Sequence, residues 1–116
     1  ILFAADNAMP VPTFFDGSHA NLVNSLHNIL ALEPDTVVRG HGEVILRGEV
    51  QAVIEADLAY LAHIKNAVVQ ILEKGQSPKA LDKIDIEECG KSRIPLNGLV
   101  VDLHRANLSR LYKELQ

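Results

Sequence analysis

Two residues stand where side chains could do chemistry. Asp6 closes the apolar run Ile1-Leu2-Phe3-Ala4-Ala5, and His41 lies between Gly40 and Gly42 just after the β-branched stretch Thr36-Val37-Val38. A carboxylate and an imidazole, each beside small residues that permit close approach, are oxygen and nitrogen donors suited to zinc, manganese or iron. If the two apolar stretches are strands paired in parallel, their C-terminal ends share one edge, where open α/β sheets bind ligands. Each residue also has a plainer reading. An Asp after a strand is a common turn former, and a His between glycines is a common loop residue.

Other reactive side chains carry weaker signals. Arg39, beside the glycine loop, could face an anionic substrate or sit in a salt bridge. His104 falls one position from an apolar helical stripe, which suits an edge histidine, a substrate contact or a residue supporting a metal ligand. Cys89 has no histidine oriented towards it by sequence and reads as a bystander thiol. Gly90-Lys91-Ser92 ends like a phosphate-binding loop, but the pattern needs glycine where Asp85 stands, so the segment reads as a solvated loop. His19, His27 and His63 fall on predicted helices as edge or surface residues.

The elements that must position these groups follow from periodicity. Residues 1–5 form a continuous apolar run of the kind buried on both faces of a sheet. Pro10 and Pro12 keep the next stretch irregular. Asp16-Gly17-Ser18 reads as a turn and helix cap, and Leu22, Val23, Leu26, Ile29 and Leu30 predict an amphipathic helix over 18–32. Pro34 ends it, and 36–38 reads as a short strand. Residues 43–47 could be another short strand or extended loop. The longest periodic segment, 48–74, is marked on one face by Val50, Ile54, Leu58, Leu61, Val68 and Leu72. Glu49, Glu55, Asp57, Lys65, Glu73 and Lys74 fall mostly off that face. Gly75 is a natural stop, and Ser77-Pro78 predicts a short helix to about residue 83. The stretch 85–98 reads as loop. A last helix over 99–115 places Leu103, Leu108, Leu111 and Leu115 on its apolar side. The predicted class is α/β: a β-α-β unit over 1–47 carrying the metal-ligand edge, then a helical part over 48–116, together one partial domain.

Composition limits the function. The chain has 116 residues, with 11 Lys+Arg against 15 Asp+Glu, a net charge of −4 and a pI near 5.7. That balance argues against a nucleic-acid partner. With 47% hydrophobic and 22% charged residues it is a globular chain, and with 4% aromatics its core is aliphatic. The single cysteine excludes an internal disulfide and suits a reducing compartment, the cytoplasm. No apolar run approaches the ~20 residues of a membrane span, and no signal peptide is visible. The apolar start without Met reads as the middle of a strand, so the chain is expected to be a fragment.

Three stretches together resemble the C-terminal half of the metallo-β-lactamase superfamily. They are Leu2-Phe3-Ala4-Ala5-Asp6-Asn7, the Asp16-Gly17 turn, and Pro34-Asp35-Thr36-Val37-Val38-Arg39-Gly40-His41-Gly42. Ala5 departs from the Gly more usual in that family and leaves the ligand position intact. The tail from His104-Arg105-Ala106-Asn107 to Glu114 is weakly similar to the end of some hydrolase-like members. The resemblance implies an αββα fold with Asp6 as the carboxylate shared by two divalent metals and His41 as a ligand to one of them. Zinc is the first expectation, with iron or manganese as alternatives. A metal-bound hydroxide would then attack an ester, thioester, lactone, lactam or phosphodiester in a small-molecule substrate. The family's remaining ligands lie in an upstream His-x-His-x-Asp-His motif, and no two of the five histidines here are two apart. The chain alone is therefore expected to be inactive and to hold the metals weakly or not at all. A homodimer is expected, with no membrane partner. Two alternatives stand beside this one: a non-catalytic helical interaction domain, and a mononuclear iron oxygenase acting on a sulfur substrate.

Overall fold

The computed structural model describes residues 2–5, 12–14, 18–32, 37–39, 49–94 and 98–116, with the backbone alone at 2–5 and 37–39. Helices dominate it. Helix α1 (His19–Ala31) starts where the sequence predicts, because the Ser18 Oγ accepts a hydrogen bond from the Asn21 backbone N–H at 3.1 Å. Its buried residues Leu22, Leu26 and Ile29 repeat at helical spacing.

Helix α2 (Val50–Glu73) is the central element and packs against both α1 and a final helix, α3 (Leu99–Leu115). Its buried stripe is Val50, Ile54, Asp57, Leu61, Ile64, Val68 and Ile71, at alternating steps of four and three. A carboxylate thus occupies a core position, which corrects the sequence reading of Asp57 as lying off the apolar face. The end of α2 is a two-bond turn: Gly75 N–H reaches Leu72 O at 3.1 Å, and Gln76 N–H reaches Ile71 O at 3.0 Å. This closure needs a left-handed residue, and Gly75 has φ 66°.

A 3-10 helix (Pro78–Lys83) follows, with proline in its first turn, and packs on α3 and α2. Within the stretch read as loop, residues 86–91 form a tight turn cluster. Cys89 and Lys91 both donate to Ile86 O at 3.1 and 3.2 Å, and Ile86 and Cys89 are buried. On α3 the buried residues are Val100, His104, Asn107, Leu108, Leu111 and Tyr112. The stripe therefore runs through His104 rather than beside it and takes in Asn107, while Leu103 is half-buried and Leu115 exposed.

The expected α/β class is overturned: the described residues make a helical body. Strand among them amounts to two segments, β1 (Leu2–Ala5) and β2 (Val37–Arg39), of four and three residues. They pair in parallel, with Leu2 opposite Val37, Phe3 opposite Val38 and Ala5 opposite Arg39. Two segments this short make no sheet layer on which helices could pack as an αββα fold requires. The described core forms instead among α1, α2, α3, the 3-10 helix, the 86–89 turn and Phe14. Ile1, the Asp16-Gly17 turn and the possible strand at 43–47 lie outside the described residues.

Candidate functional site

Asp6 and His41 both lie outside the described residues. The ladder beside them does not. Ala5, which precedes Asp6, is the register partner of Arg39, which precedes His41 by two positions. The two strands run in the same direction, so the chain continues toward both residues from one end of the ladder. Arg39 is described in backbone only. Among the described residues there is no cluster of three or more His, Cys, Asp or Glu able to hold a metal ion.

The described part of the molecule holds a different polar site, buried between α2, α3 and the segment 12–14. The His104 Nε2 donates to the Ile84 carbonyl at 2.9 Å. Since a neutral imidazole carries one N–H, Nδ1 is then the acceptor, and the Tyr60 hydroxyl donates to it at 2.8 Å. The Tyr60 oxygen in turn accepts from the Asn107 Nδ2 at 3.2 Å, and the same Nδ2 donates to the Pro12 carbonyl at 2.5 Å. A carbonyl can only accept, so the amide nitrogen must face Pro12. The Asn107 Oδ1 is buried and has no hydrogen-bond partner among the described residues. Burial lowers the His104 pKa, opposed by the Ile84 carbonyl and Asp85 and assisted by Arg105. Burial likewise pushes the Tyr60 hydroxyl well above its ordinary value. With both ring nitrogens engaged inside the chain, His104 acts on its surroundings through Tyr60. Its tilted ring lies 5.7 Å from the tyrosine ring, centroid to centroid.

A second buried polar contact joins α2 to the turn cluster. Asp57 is 1% exposed and pairs with the Lys91 ammonium, itself 12% exposed. The lysine of the apparent phosphate-loop motif is thus a structural cation, which corrects its reading as part of a solvated loop. Sequence reasoning missed this pair, although the step from Ile54 to Asp57 to Leu61 carried the signal. The Cys89 thiol, buried in the same turn cluster, is pushed up to about 11 by burial first and then by Glu88 and Asp85. At neutral pH it is therefore a protonated core thiol, not a nucleophile.

The remaining histidines separate by environment. His19 is buried, not an edge residue: its Nε2 donates to the Leu61 carbonyl at 2.7 Å, and Phe14 meets its ring edge-on at 5.6 Å. His27 and His63 are exposed, as the sequence predicts. Between α1 and α2 lies an open groove of about 510 Å³, with Val23, Leu58, Ala59 and Ala62 as its apolar lining and His27 and Lys65 beside them. Among the described residues, no helix is long and apolar enough to cross a membrane. No family model, curated protein or solved structure matches the chain.

Proposed function

We propose that this chain is part of a metal-dependent hydrolase in which Asp6 and His41 are metal ligands. Beyond the motif resemblance, the observation that carries this reading is the parallel register of Ala5 with Arg39, which directs the chain toward both residues from one end of the ladder. The donor set fits: a carboxylate oxygen and an imidazole nitrogen are donors that zinc accepts. A catalytic zinc takes about three protein ligands, so the proposal requires others from outside this chain. When bound, a divalent ion there supplies an activated water at neutral pH and polarises the scissile bond. In this reading the chain's own contribution is to hold the carboxylate and the imidazole, while Arg39 meets either an anionic substrate or a salt-bridge partner. The substrate is a small ester, thioester, lactone, lactam or phosphodiester. A buried, free Cys89 supports a reducing compartment such as the cytoplasm.

The experiment compares Asp6→Ala and His41→Ala with the unaltered protein for zinc content, hydrolysis and melting temperature. Both variants are expected to lose metal and hydrolysis while melting nearly unchanged. Full zinc content and activity in both would overturn the reading. The isolated 116-residue chain is expected to lose zinc on dialysis, since two ligands cannot complete a shell. Iron in place of zinc, with oxygen uptake on a sulfur substrate, would favour the oxygenase alternative. The groove between α1 and α2 favours a second reading, a helical interaction domain, which predicts no metal at all.

A further inference from the structure

We propose that Asn107, Tyr60 and His104 form a proton-sensitive latch that holds the segment 12–14 on the helical body and releases it when His104 takes up a proton. The latch uses described residues alone and is independent of the proposed metal site.

Hydrogen-bond polarity sets the latch. In the neutral state every donor in the chain points one way: Asn107 Nδ2 to Tyr60, Tyr60 O–H to His104 Nδ1, and His104 Nε2 to Ile84 O. The second hydrogen of Asn107 Nδ2 holds the Pro12 carbonyl. One proton added from solvent at Nδ1 makes that atom a donor, and the Tyr60 O–H loses its acceptor. The chain can be satisfied again only by reversal. Nδ1–H then donates to the Tyr60 oxygen, and the Tyr60 O–H turns toward Asn107. The acceptor it needs is present in Oδ1, which is buried and accepts no other bond among the described residues. Turning Oδ1 toward Tyr60 takes Nδ2 off the Pro12 carbonyl and leaves two acceptor oxygens facing each other there. A buried carbonyl without a donor is costly, so the segment leaves the helices.

The groups facing His104 set how readily this happens. From α2 the facing group is Tyr60; from the segment after the 3-10 helix it is Asp85; on α3 itself it is Arg105. Cys89 of the turn cluster acts on the tyrosine. Asp85 favours the proton but already receives Arg93 at 3.0 Å on both oxygens, whereas Arg105 and burial oppose it. The segment 12–14 contributes no titratable side chain.

The test is NMR on the full chain from about pH 7.5 down to about pH 5, the range spanning an ordinary histidine. The readouts are the His104 imidazole nitrogens, the Asn107 side-chain amide, and exchange protection at Thr13 and Phe14 relative to residues 64–71 of α2. The expected result is that the Asn107 amide shifts with the His104 titration and protection at Thr13 and Phe14 falls about tenfold per pH unit, while α2 is unchanged. In His104→Gln, which cannot titrate, this response should vanish. If that variant does not fold, Tyr60→Phe decides, because it severs the relay and should also remove the response. Protonation of His104 with Asn107 and the segment unmoved would overturn the latch. So would the same release in a folded non-titrating or severed variant, or global unfolding before any local change.

Discussion

A buried ion pair is worth most when one partner is removed. Lys91→Met takes the ammonium away from the buried Asp57 carboxylate and should destabilise the protein, by up to about 3 kcal/mol. Adding Asp57→Leu should recover part of that loss, because the buried carboxylate goes with it. Chemical denaturation of both single variants and the double variant checks this, and additive losses would show that the two residues do not act as a pair. The pH dependence of stability belongs to His104. Its folded pKa lies below the ordinary histidine value, so its contribution is complete above about pH 6.5 and is lost as pH falls below that. Over that window the unfolded chain takes up a proton that the fold resists, and stability should drop by up to about 1.4 kcal/mol per pH unit. Denaturation curves for the protein and His104→Gln should diverge in slope below that pH; parallel curves would remove His104 from the account. Asp57, His104 and Asn107 sit at stripe spacing, but residue type alone places Asp57 off the apolar face and His104 at its edge, and gives Asn107 no role. Their partners come from 34 and 44 residues away for Asp57 and His104, and no local pattern reveals them.

Local signals worked well wherever an element carries its own boundaries. Ser18 before an apolar-periodic run, Gly75 after one, and Pro78 at the first turn of the next each mark an end that the structure reproduces. At Gly75 the closure of α2 depends on backbone alone, since a Cβ there would meet nothing within 4 Å. Gly75→Ala should therefore cost only the left-handed strain, about 1 kcal/mol, and Gly75→Asn less. Thermal melts of the two variants check the order; equal losses would mean that the closing bonds to Leu72 and Ile71 matter little. The stretch 85–98 was legible only as non-periodic. Its described part is held by the Lys91 pair, by Arg93 on Asp85 and Glu87, and by the burial of Ile86 and Cys89. Irregular backbone fixed by side chains from other elements leaves no periodic trace. The two strands were legible as short apolar runs, but the class inferred from them was not. A β-branched pair and an apolar pentamer state that strands exist, not that a sheet layer forms the core. The helices' apolar stripes pack on one another instead.

At the scale of the whole molecule, the surface decides how chains meet. Ile94 is 77% exposed and Leu99 51%, at the approach to α3 and its first residue, and Leu32 is 67% exposed at the end of α1. The groove between α1 and α2 adds further apolar surface. Among the described residues β1 and β2 pair only with each other, so each offers an outer edge to another chain. A net charge of −4 sets little repulsion against association. Burying about 500 Å² of apolar surface would contribute on the order of 12 kcal/mol before association costs, which consume much of it. The expected result is a two-fold dimer at micromolar concentration, since an isologous contact uses the same patch twice and closes on itself. Sedimentation across about 1 to 100 μM checks it, with Ile94→Glu shifting the equilibrium towards monomer if this patch is the contact. A monomer throughout that range would mean that the chain tolerates these side chains in water. A dimer indifferent to Ile94→Glu would move the contact to the strand edges or to the groove.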